Sequence, residues 1–254
     1  MKLFDLTGRV ALVTGGNGGI GLGMARGLAG AGAAIAIAGR NAAKCEAAAA
    51  ELAKLCIKTA IVTGDVTDTA QCKRIVEETV AKLGRLDILV NNAGINIRKP
   101  PQDLSVDEWR QVIDTNLTSA FTLSQAVYPV MKEAGGGKII NIGSMLSIFG
   151  AGFAAAYGAS KGGIVQLTKA LASGWAKDKI QVNAVLPGWI DTDLTRTARD
   201  QVKGLNSLVL MRTPAGRWGE PNDLSGIAVF LASPASDFVT GTAIPVDGGY
   251  AVQI

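Results

Sequence analysis

The chain has 254 residues, of which 48% are hydrophobic and 18% charged, and its 25 basic and 21 acidic side chains give a formal net charge of +4. This length and apolar fraction suit one large α/β unit with a well-filled core, and no uninterrupted apolar segment is long enough to span a membrane. The charge is modest and no dense run of Lys and Arg occurs, which argues against a nucleic-acid-binding protein.

Short runs of β-forming residues alternate with alanine- or leucine-rich stretches that have helical spacing. The runs lie at 9–14, 33–38, 59–63, 86–90, 138–143, 180–185 and 242–246. Repeated βα alternation predicts parallel strands joined by right-handed crossovers, with helices on both faces of the sheet. Continuously apolar runs are typical of strands that are covered on both faces. The sequence therefore predicts a doubly wound, mostly parallel, seven-stranded α/β sheet of the Rossmann type.

The first predicted strand leads directly into a glycine-rich segment, TGGNGGIG at 14–21, and helical spacing follows from 20 to 31. Glycines allow a sharp turn and a close approach of a pyrophosphate to the main chain. They also seat the helix so that its N-terminal amides point at anionic oxygens. Strand, glycine turn and helix in this order predict a nucleotide-binding site.

The second predicted strand ends in Gly39, Arg40 and Asn41. A site that prefers NAD places a carboxylate here, which accepts a hydrogen bond from the ribose 2′-hydroxyl. That carboxylate is missing, and the guanidinium of Arg40 can pair bidentately with a phosphate, so NADP(H) is favoured over NAD(H). The alternative is that Arg40 points to solvent, since the glycine turn offers no second basic residue at Asn17 or Gly18.

Two long apolar helices are predicted, at 107–132 and 154–177. Their outward faces could be buried by a partner subunit, although packing in the core explains the same pattern. The segment 190–215 is less regular and more polar, and it follows a strand end. We expect either a substrate lid over a cleft or a plain surface excursion there. No Pro/Gly/Ser linker divides the chain, so 1–254 is predicted to form one domain.

Tyr157 and Lys161 stand four residues apart in the second long helix, and Ser144 lies thirteen residues before the tyrosine, after the fifth strand. Residues at i and i+4 share a helix face, so the phenol and the ammonium can converge. A free tyrosine has a pKa of about 10, and a neighbouring cation favours the phenolate and lowers that pKa. The three residues predict a proton-transfer site, with an exposed helix pair as the alternative.

Histidine is absent from the chain. A Ser-His-Asp hydrolase, a histidine metal site and a histidine base are thereby excluded, which favours Tyr157 as the acid or base, and we expect no metal site. The first residues leave no room for a signal peptide, so we expect a cytoplasmic protein with reduced cysteines. Cys45 and Cys56 are predicted to share one helix, about 16 Å apart and beyond disulfide reach.

Several motifs follow one another in a single order along the chain. They are TGxxxGxG at 14–21, Asp65 after a strand, NNAG at 91–94, Asn116, Ser144, YxxxK at 157–161 and Pro187-Gly188. This order resembles the short-chain dehydrogenase/reductase family over the whole chain. The resemblance implies a nicotinamide-dependent oxidoreductase, acting on a small carbonyl or alcohol substrate, that assembles as a homotetramer.

The resemblance assigns catalytic roles to four residues. Tyr157 would exchange a proton with the substrate oxygen, and Ser144 would hydrogen-bond and orient that oxygen. Lys161 would bind the nicotinamide ribose hydroxyls and lower the pKa of Tyr157, while Asn116 would hold a water that links the lysine to solvent. A strand-end hydroxyl and a helix amide are the alternatives for Ser144 and Asn116 taken alone.

The resemblance also places a set of residues around the dinucleotide, from the pyrophosphate and adenosine to the nicotinamide. They are Gly15, Asn17, Gly19, Ile20, Gly21, Arg40, Asp65, Val66, Asn92, Gly94, Tyr157, Lys161, Ile190 and Thr192. Asp65 has an alternative role as a helix-capping residue ahead of Thr67 and Asp68.

Segments 91–100, 142–147 and 214–219, with Glu108-Trp109, resemble the branch of gluconate 5-dehydrogenase and 2-deoxy-D-gluconate 3-dehydrogenase. That branch interconverts a secondary alcohol and a ketone on a sugar acid or polyol-like substrate. Arg98 or Lys99 would receive the substrate carboxylate, with a solvated loop charge as the alternative. A 3-oxoacyl-[acyl-carrier-protein] reductase shares every catalytic motif, and a non-catalytic dinucleotide-sensing protein is a further alternative.

Overall fold

The computed structural model describes residues 2–253 and contains one sheet of seven parallel strands. The strands are β1 Val10–Thr14, β2 Ala34–Gly39, β3 Thr59–Thr63, β4 Ile88–Asn91, β5 Gly137–Ile142, β6 Ile180–Pro187 and β7 Ala243–Val246. Their order in the sheet is β3-β2-β1-β4-β5-β6-β7, and every neighbouring pair is parallel. The predicted fold class is confirmed. Every strand begins and ends within two residues of its predicted limits.

Helices connect and cover the strands. They are α1 Gly19–Gly30, α2 Ala42–Ala53, α3 Thr69–Leu83, α4 Val106–Ile113, α5 Ser119–Glu133, α6 Ala155–Trp175, α7 Asp193–Gln201, α8 Leu205–Arg212 and α9 Ser225–Ala232. Short 3-10 turns lie at Lys2–Phe4, Pro101–Asp103, Met145–Ser147, Ala176–Asp178, Pro221–Leu224 and Pro234–Ser236. A π-helical segment, Asp114–Thr118, joins α4 to α5, so the helix predicted over 107–132 is one nearly continuous helical run.

Local side-chain bonds set where several helices begin. The Asn41 side chain accepts a bond from the Lys44 amide at the start of α2, and Asp68 accepts from the amides of Ala70 and Gln71 at the start of α3. The cap of α3 is therefore Asp68 and not Asp65. Because α2 ends before Cys56, which adopts a positive φ of 59°, the prediction that Cys45 and Cys56 share a helix was wrong.

Two apolar layers bury the sheet. The side chains of Ala11 and Val13 point to the layer under α1, α2 and α9, whereas Val10 and Leu12 point to the layer under α3, α5 and α6. Each strand alternates between two covered faces, which is why its sequence is apolar throughout. No helix within residues 2–253 combines the length and apolarity that crossing a bilayer requires.

The parallel arrangement gathers the strand ends at one edge. Thr14, Asn91, Ile142 and Pro187 are the last residues of β1, β4, β5 and β6, which are neighbours in the sheet. The segments that follow them therefore meet at the carboxyl edge, where open α/β sheets bind their ligands.

The packing of α1 gives a stability prediction. A Cβ added at Gly23 would lie 2.1 Å from the carbonyl oxygen of Pro221, which is backbone and cannot move aside easily. Gly23→Ala is expected to lower the free energy of unfolding by about 1–3 kcal/mol. Gly30→Ala in the same helix is the control, since its added Cβ meets nothing within 4 Å. Thermal unfolding should show a lower Tm for the first variant alone; equal Tm values would contradict the packing.

Candidate active site

A cavity of about 550 Å³ opens at the carboxyl edge of the sheet. It lies between the glycine turn, the ends of β4 and β5, the first part of α6 and the segment that follows β6. Many of the residues predicted for the site line it, namely Gly15, Asn17, Gly19, Ile20, Asn92, Gly94, Ser144, Tyr157, Lys161, Ile190 and Thr192. Residues that are far apart in the chain thus line the same cavity.

Five predicted residues are not in the lining that the described residues form: Gly21, Arg40, Asp65, Val66 and Asn116. Gly21 packs beneath the turn, where an added Cβ would lie 2.4 Å from the Gly15 carbonyl oxygen. Arg40 Nη1 lies 3.7 Å from Asp65 Oδ2, so the guanidinium faces a carboxylate rather than the cavity. Val66 is buried and belongs to the apolar layer under α3. The dinucleotide roles of Arg40, Asp65 and Val66 stay predictions.

The glycine turn has the backbone that a pyrophosphate site requires. Gly15 and Gly19 have φ angles of 60° and 50°, which residues other than glycine rarely adopt. No side chain caps the first amides of α1, whose N-cap residue is Gly18. A Cβ added at Gly18 would meet nothing within 4 Å, so the space beside these amides is open. Uncapped amides at a helix start attract anionic oxygens. The turn therefore fits the pyrophosphate of a nicotinamide dinucleotide.

Asn92 joins the turn to β4. Its Nδ2 donates to the carbonyl oxygens of Thr14, at 2.9 Å, and Gly15, at 3.2 Å. In return, Thr14 Oγ1 accepts from the amides of Asn92 and Ala93, at 3.0 and 3.1 Å. The sequence interpretation missed this positioning role of Thr14, whose only signal was a hydroxyl at a strand end.

Tyr157, Lys161 and Ser144 come together at the inner end of the cavity. Lys161 Nζ donates to the Ile142 carbonyl oxygen at 2.7 Å and lies 5.7 Å from the centre of the Tyr157 ring. Ser147 Oγ accepts from the Ser144 amide at 3.1 Å and donates to the Lys161 carbonyl oxygen at 2.7 Å. Ser147 thus ties the end of β5 to α6, a second positioning role that the sequence did not reveal.

Burial determines the direction of the pKa shifts of Tyr157 and Lys161. Burial raises the pKa of Tyr157, while its hydrogen bond with Ser144 and the charge of Arg98 act in the opposite direction. Burial lowers the pKa of Lys161 to about 8. Desolvation disfavours both the phenolate and the ammonium, and the role of Lys161 in lowering the Tyr157 pKa stays a prediction.

Asn116 lies behind this group, in the π-helical segment. Its Oδ1 accepts from the Ile95 amide at 2.8 Å, and its Nδ2 donates to the Ile95 carbonyl oxygen at 2.9 Å and to Ser160 Oγ at 3.1 Å. These bonds hold the loop after β4 against α6. The water-holding role of Asn116 stays a prediction.

Arg98 is a cation within electrostatic range of Tyr157, but it does not belong to the cavity lining that the described residues form. It is half-buried, its pKa is lowered by burial, and the phenol of Tyr157 is close enough to act on it. Its Nη2 donates to the Leu194 carbonyl oxygen at 3.4 Å, and no carboxylate of residues 2–253 pairs with it. Lys99, by contrast, pairs with Glu108 at 2.5 Å.

The first turn of α7 lines the cavity after the end of β6, and α8 follows it in the chain. Asp191 pairs with Arg196 at 2.9 Å and also with Arg199, whose guanidinium lies 3.9 Å from the centre of the Trp218 ring. Apolar residues of both helices pack on Trp189 and Trp218. The predicted lid function of 190–215 stays a prediction. Across the described part of the chain, no group of three or more His, Cys, Asp or Glu could hold a metal ion.

Known proteins resemble this chain along its whole length. A family described as enoyl-(acyl carrier protein) reductase matches residues 15–251. A 2-dehydro-3-deoxy-D-gluconate 5-dehydrogenase from Formosa agariphila is 43% identical over 100% of this chain and 97% of its own. Gluconate 5-dehydrogenase from Gluconobacter oxydans is 40% identical over 99% of this chain and 98% of its own.

A solved structure has the same fold. The crystal structure of a gluconate 5-dehydrogenase from Burkholderia cenocepacia, in complex with NADP and tartrate, superposes with a TM-score of 0.95 at 42% identity. The match covers 100% of this chain and 99% of that one.

Proposed function

Because the chain belongs to the short-chain dehydrogenase/reductase family, we propose that it is an NADP(H)-dependent oxidoreductase that interconverts a secondary alcohol and a ketone on a sugar acid or polyol-like substrate. The observation that carries this proposal is the cavity that brings Tyr157, Ser144 and Lys161 opposite the glycine turn. Such a cavity can align a carbonyl carbon with a bound dinucleotide, which is the main task of the protein in hydride transfer.

The residues of the cavity have separate roles in the transfer of the proton and the binding of the dinucleotide. When bound, the nicotinamide supplies or accepts the hydride. During ketone reduction the Tyr157 hydroxyl donates a proton to the substrate oxygen, and Ser144 donates a hydrogen bond that orients the same oxygen. In the reverse direction Tyr157 takes the proton back. Lys161, held by the Ile142 carbonyl oxygen, keeps further N–H donors for the ribose hydroxyls of the dinucleotide.

Two observations support NADP(H) as the cofactor. The end of β2 has no carboxylate that would accept from a ribose 2′-hydroxyl and repel a 2′-phosphate. The crystal structure of the gluconate 5-dehydrogenase from Burkholderia cenocepacia is a complex with NADP.

Arg98 supports an anionic substrate. Its half-buried guanidinium has no carboxylate partner in the described chain and lies within electrostatic range of Tyr157. Burying such a cation is costly unless an anion pairs with it, so a substrate carboxylate at this position would be stabilised. The relatives from Formosa agariphila and Gluconobacter oxydans are named for sugar-acid substrates. The homotetramer is proposed from the family resemblance alone, and the cytoplasmic location stays a prediction.

A comparison of two substrates tests the proposal. NADPH oxidation is expected with 5-ketogluconate. It is expected to be much slower with an acetoacetyl thioester, because this compound has no carboxylate to pair with Arg98. The decrease in absorbance of the reduced nicotinamide measures both rates. Turnover of the thioester alone would replace the sugar acid with an acyl-carrier substrate. No turnover of either compound, or of a wide panel of ketones and alcohols, would favour the dinucleotide sensor.

A further inference from the structure

Ser144 is held by hydrogen bonds on its main chain and on its hydroxyl. It is the N-cap residue of the 3-10 turn Met145–Ser147. Its Oγ accepts from the Leu146 amide at 3.1 Å, and its amide donates to Ser147 Oγ at 3.1 Å. Its carbonyl oxygen accepts from the Ser147 amide at 2.9 Å. The turn and the residue that caps it therefore fix each other in place.

The Leu146 amide decides how the Ser144 hydroxyl can act. An amide N–H only donates, so Ser144 Oγ is the acceptor in this bond and its own O–H stays available as a donor. Accepting one hydrogen bond also strengthens the bond that the same hydroxyl donates. Burial raises the pKa of Tyr157, and the hydrogen bond with Ser144 lowers it, as expected of a hydroxyl that donates toward the phenol oxygen.

The side chain of Ser147 joins this turn to the helix that carries Tyr157. Its hydroxyl has one proton, which goes to the Lys161 carbonyl oxygen at 2.7 Å, so it meets the Ser144 amide as an acceptor. Both partners are main-chain groups. The link therefore leaves the Ser144 hydroxyl and the Lys161 ammonium free for the reaction and for the dinucleotide.

The surroundings of the turn make its position depend on this link. Lys161 Nζ donates to the carbonyl oxygen of the last residue of β5, which holds the strand end before the turn. Met145 is buried in an apolar cluster with residues of β6, which holds the first residue of the turn. The Ser147 hydroxyl holds the last one. Without that hydroxyl the Ser144 amide loses its acceptor and the turn loses its hydrogen bond to α6.

We propose that Ser147 is a positioning residue of the reaction: its hydroxyl holds the turn that presents the Leu146 amide, and this amide keeps the Ser144 hydroxyl oriented as a donor to the substrate oxygen. This inference rests on the proposed function, in which Ser144 orients that oxygen. Ser147 is not part of the cavity lining that the described residues form, so it acts through Ser144. A small displacement of the donor weakens a bond that the transition state needs. Loss of the Ser147 hydroxyl should therefore lower kcat, and not the affinity for the dinucleotide.

A double-mutant cycle in the full-length protein tests this assignment. Steady-state kinetics are measured for the wild type, Ser147→Ala, Ser144→Ala and the double variant, with NADPH and 5-ketogluconate or the ketone that the wild type reduces fastest. Ser144→Ala is expected to lower kcat by about 10²-fold or more, as removal of one donor to a reacting oxygen does. Ser147→Ala is expected to lower kcat by about tenfold. Because Ser147 acts through Ser144, the double variant should be within about twofold of Ser144→Ala.

Three further measurements separate the hydroxyl from a general loss of structure. The dissociation constant of NADPH, measured by fluorescence titration, should be unchanged in Ser147→Ala. Ser147→Thr keeps a hydroxyl and should retain most of the wild-type kcat. Ser233→Ala is the matched control, because Ser233 is a buried N-cap residue of another 3-10 turn, away from the cavity, and its hydroxyl donates to the Phe230 carbonyl oxygen at 3.0 Å. It should lower Tm as Ser147→Ala does, but leave kcat unchanged.

The possible results separate the alternatives. Losses that multiply in the double variant would show that Ser147 acts independently of Ser144 and would overturn the inference. A loss of NADPH affinity as large as the loss of kcat would overturn it as well, since Ser147 would then act through Lys161. If the wild type reduces no compound of a wide panel of ketones, the proposed function fails together with the inference. If the wild type is active and Ser147→Ala is equally active, or Ser147→Thr is as slow as Ser147→Ala, the inference fails alone.

Discussion

Tyr157→Phe is expected to lower kcat for ketone reduction by about 10²–10⁴-fold, the range that a general acid contributes. The substitution removes one hydroxyl and keeps the ring, so the cavity and the hydrogen bond from Lys161 to Ile142 stay in place. The affinity for NADPH should therefore be unchanged. Steady-state kinetics with 5-ketogluconate and a fluorescence titration with NADPH measure the two effects separately.

The pH profile of the wild type is a second readout of the same role. Burial raises the pKa of Tyr157, so the phenol is protonated at neutral pH and ready to donate during reduction. Alcohol oxidation needs the deprotonated form, so its rate should rise with pH. Tyr128→Phe is the control, because that hydroxyl donates to Asp178 at 2.8 Å, away from the cavity. If the Tyr157→Phe variant keeps the wild-type kcat, Tyr157 is not the proton donor.

Arg98→Met is expected to lower kcat/KM for 5-ketogluconate by about 10²-fold, through a higher KM, because a charge-assisted pair with the substrate carboxylate is lost. A neutral ketose has no carboxylate, so its kcat/KM should change far less. Methionine keeps an unbranched apolar chain in the half-buried position. Initial rates of NADPH oxidation with both substrates give the comparison.

Lys99→Met is the matched control for this loop. Lys99 already pairs with Glu108 at 2.5 Å, so it has no free charge for a substrate, and kcat/KM should stay near that of the wild type. Arg98→Lys should recover part of the loss, since lysine keeps the charge but not the bidentate geometry. An equal loss with acid and neutral substrates would mean that Arg98 acts through Tyr157, whose pKa its charge lowers. If kcat/KM falls with neither substrate, the substrate carboxylate binds at a position other than Arg98.

Local patterns in the chain were enough to predict the sheet and the meeting of the site residues. Seven continuously apolar runs separated by helical stretches allow few arrangements other than a doubly wound parallel sheet. In such a sheet the segments after neighbouring strands share one edge, so the glycine turn, Ser144 and Gly188 had to lie near each other. Tyr157 and Lys161 share a helix face because of their spacing alone.

Contacts between distant segments decided the rest. The sequence placed Arg40 at the end of β2 but could not show that Asp65 faces its guanidinium, or that Lys44 reaches the cavity and meets Asp193 from α7. The direction of the Tyr157 pKa likewise follows from burial under several segments and not from its neighbour on the helix. Periodicity along the chain sets backbone elements, whereas side-chain partners and desolvation depend on what the fold packs against each group.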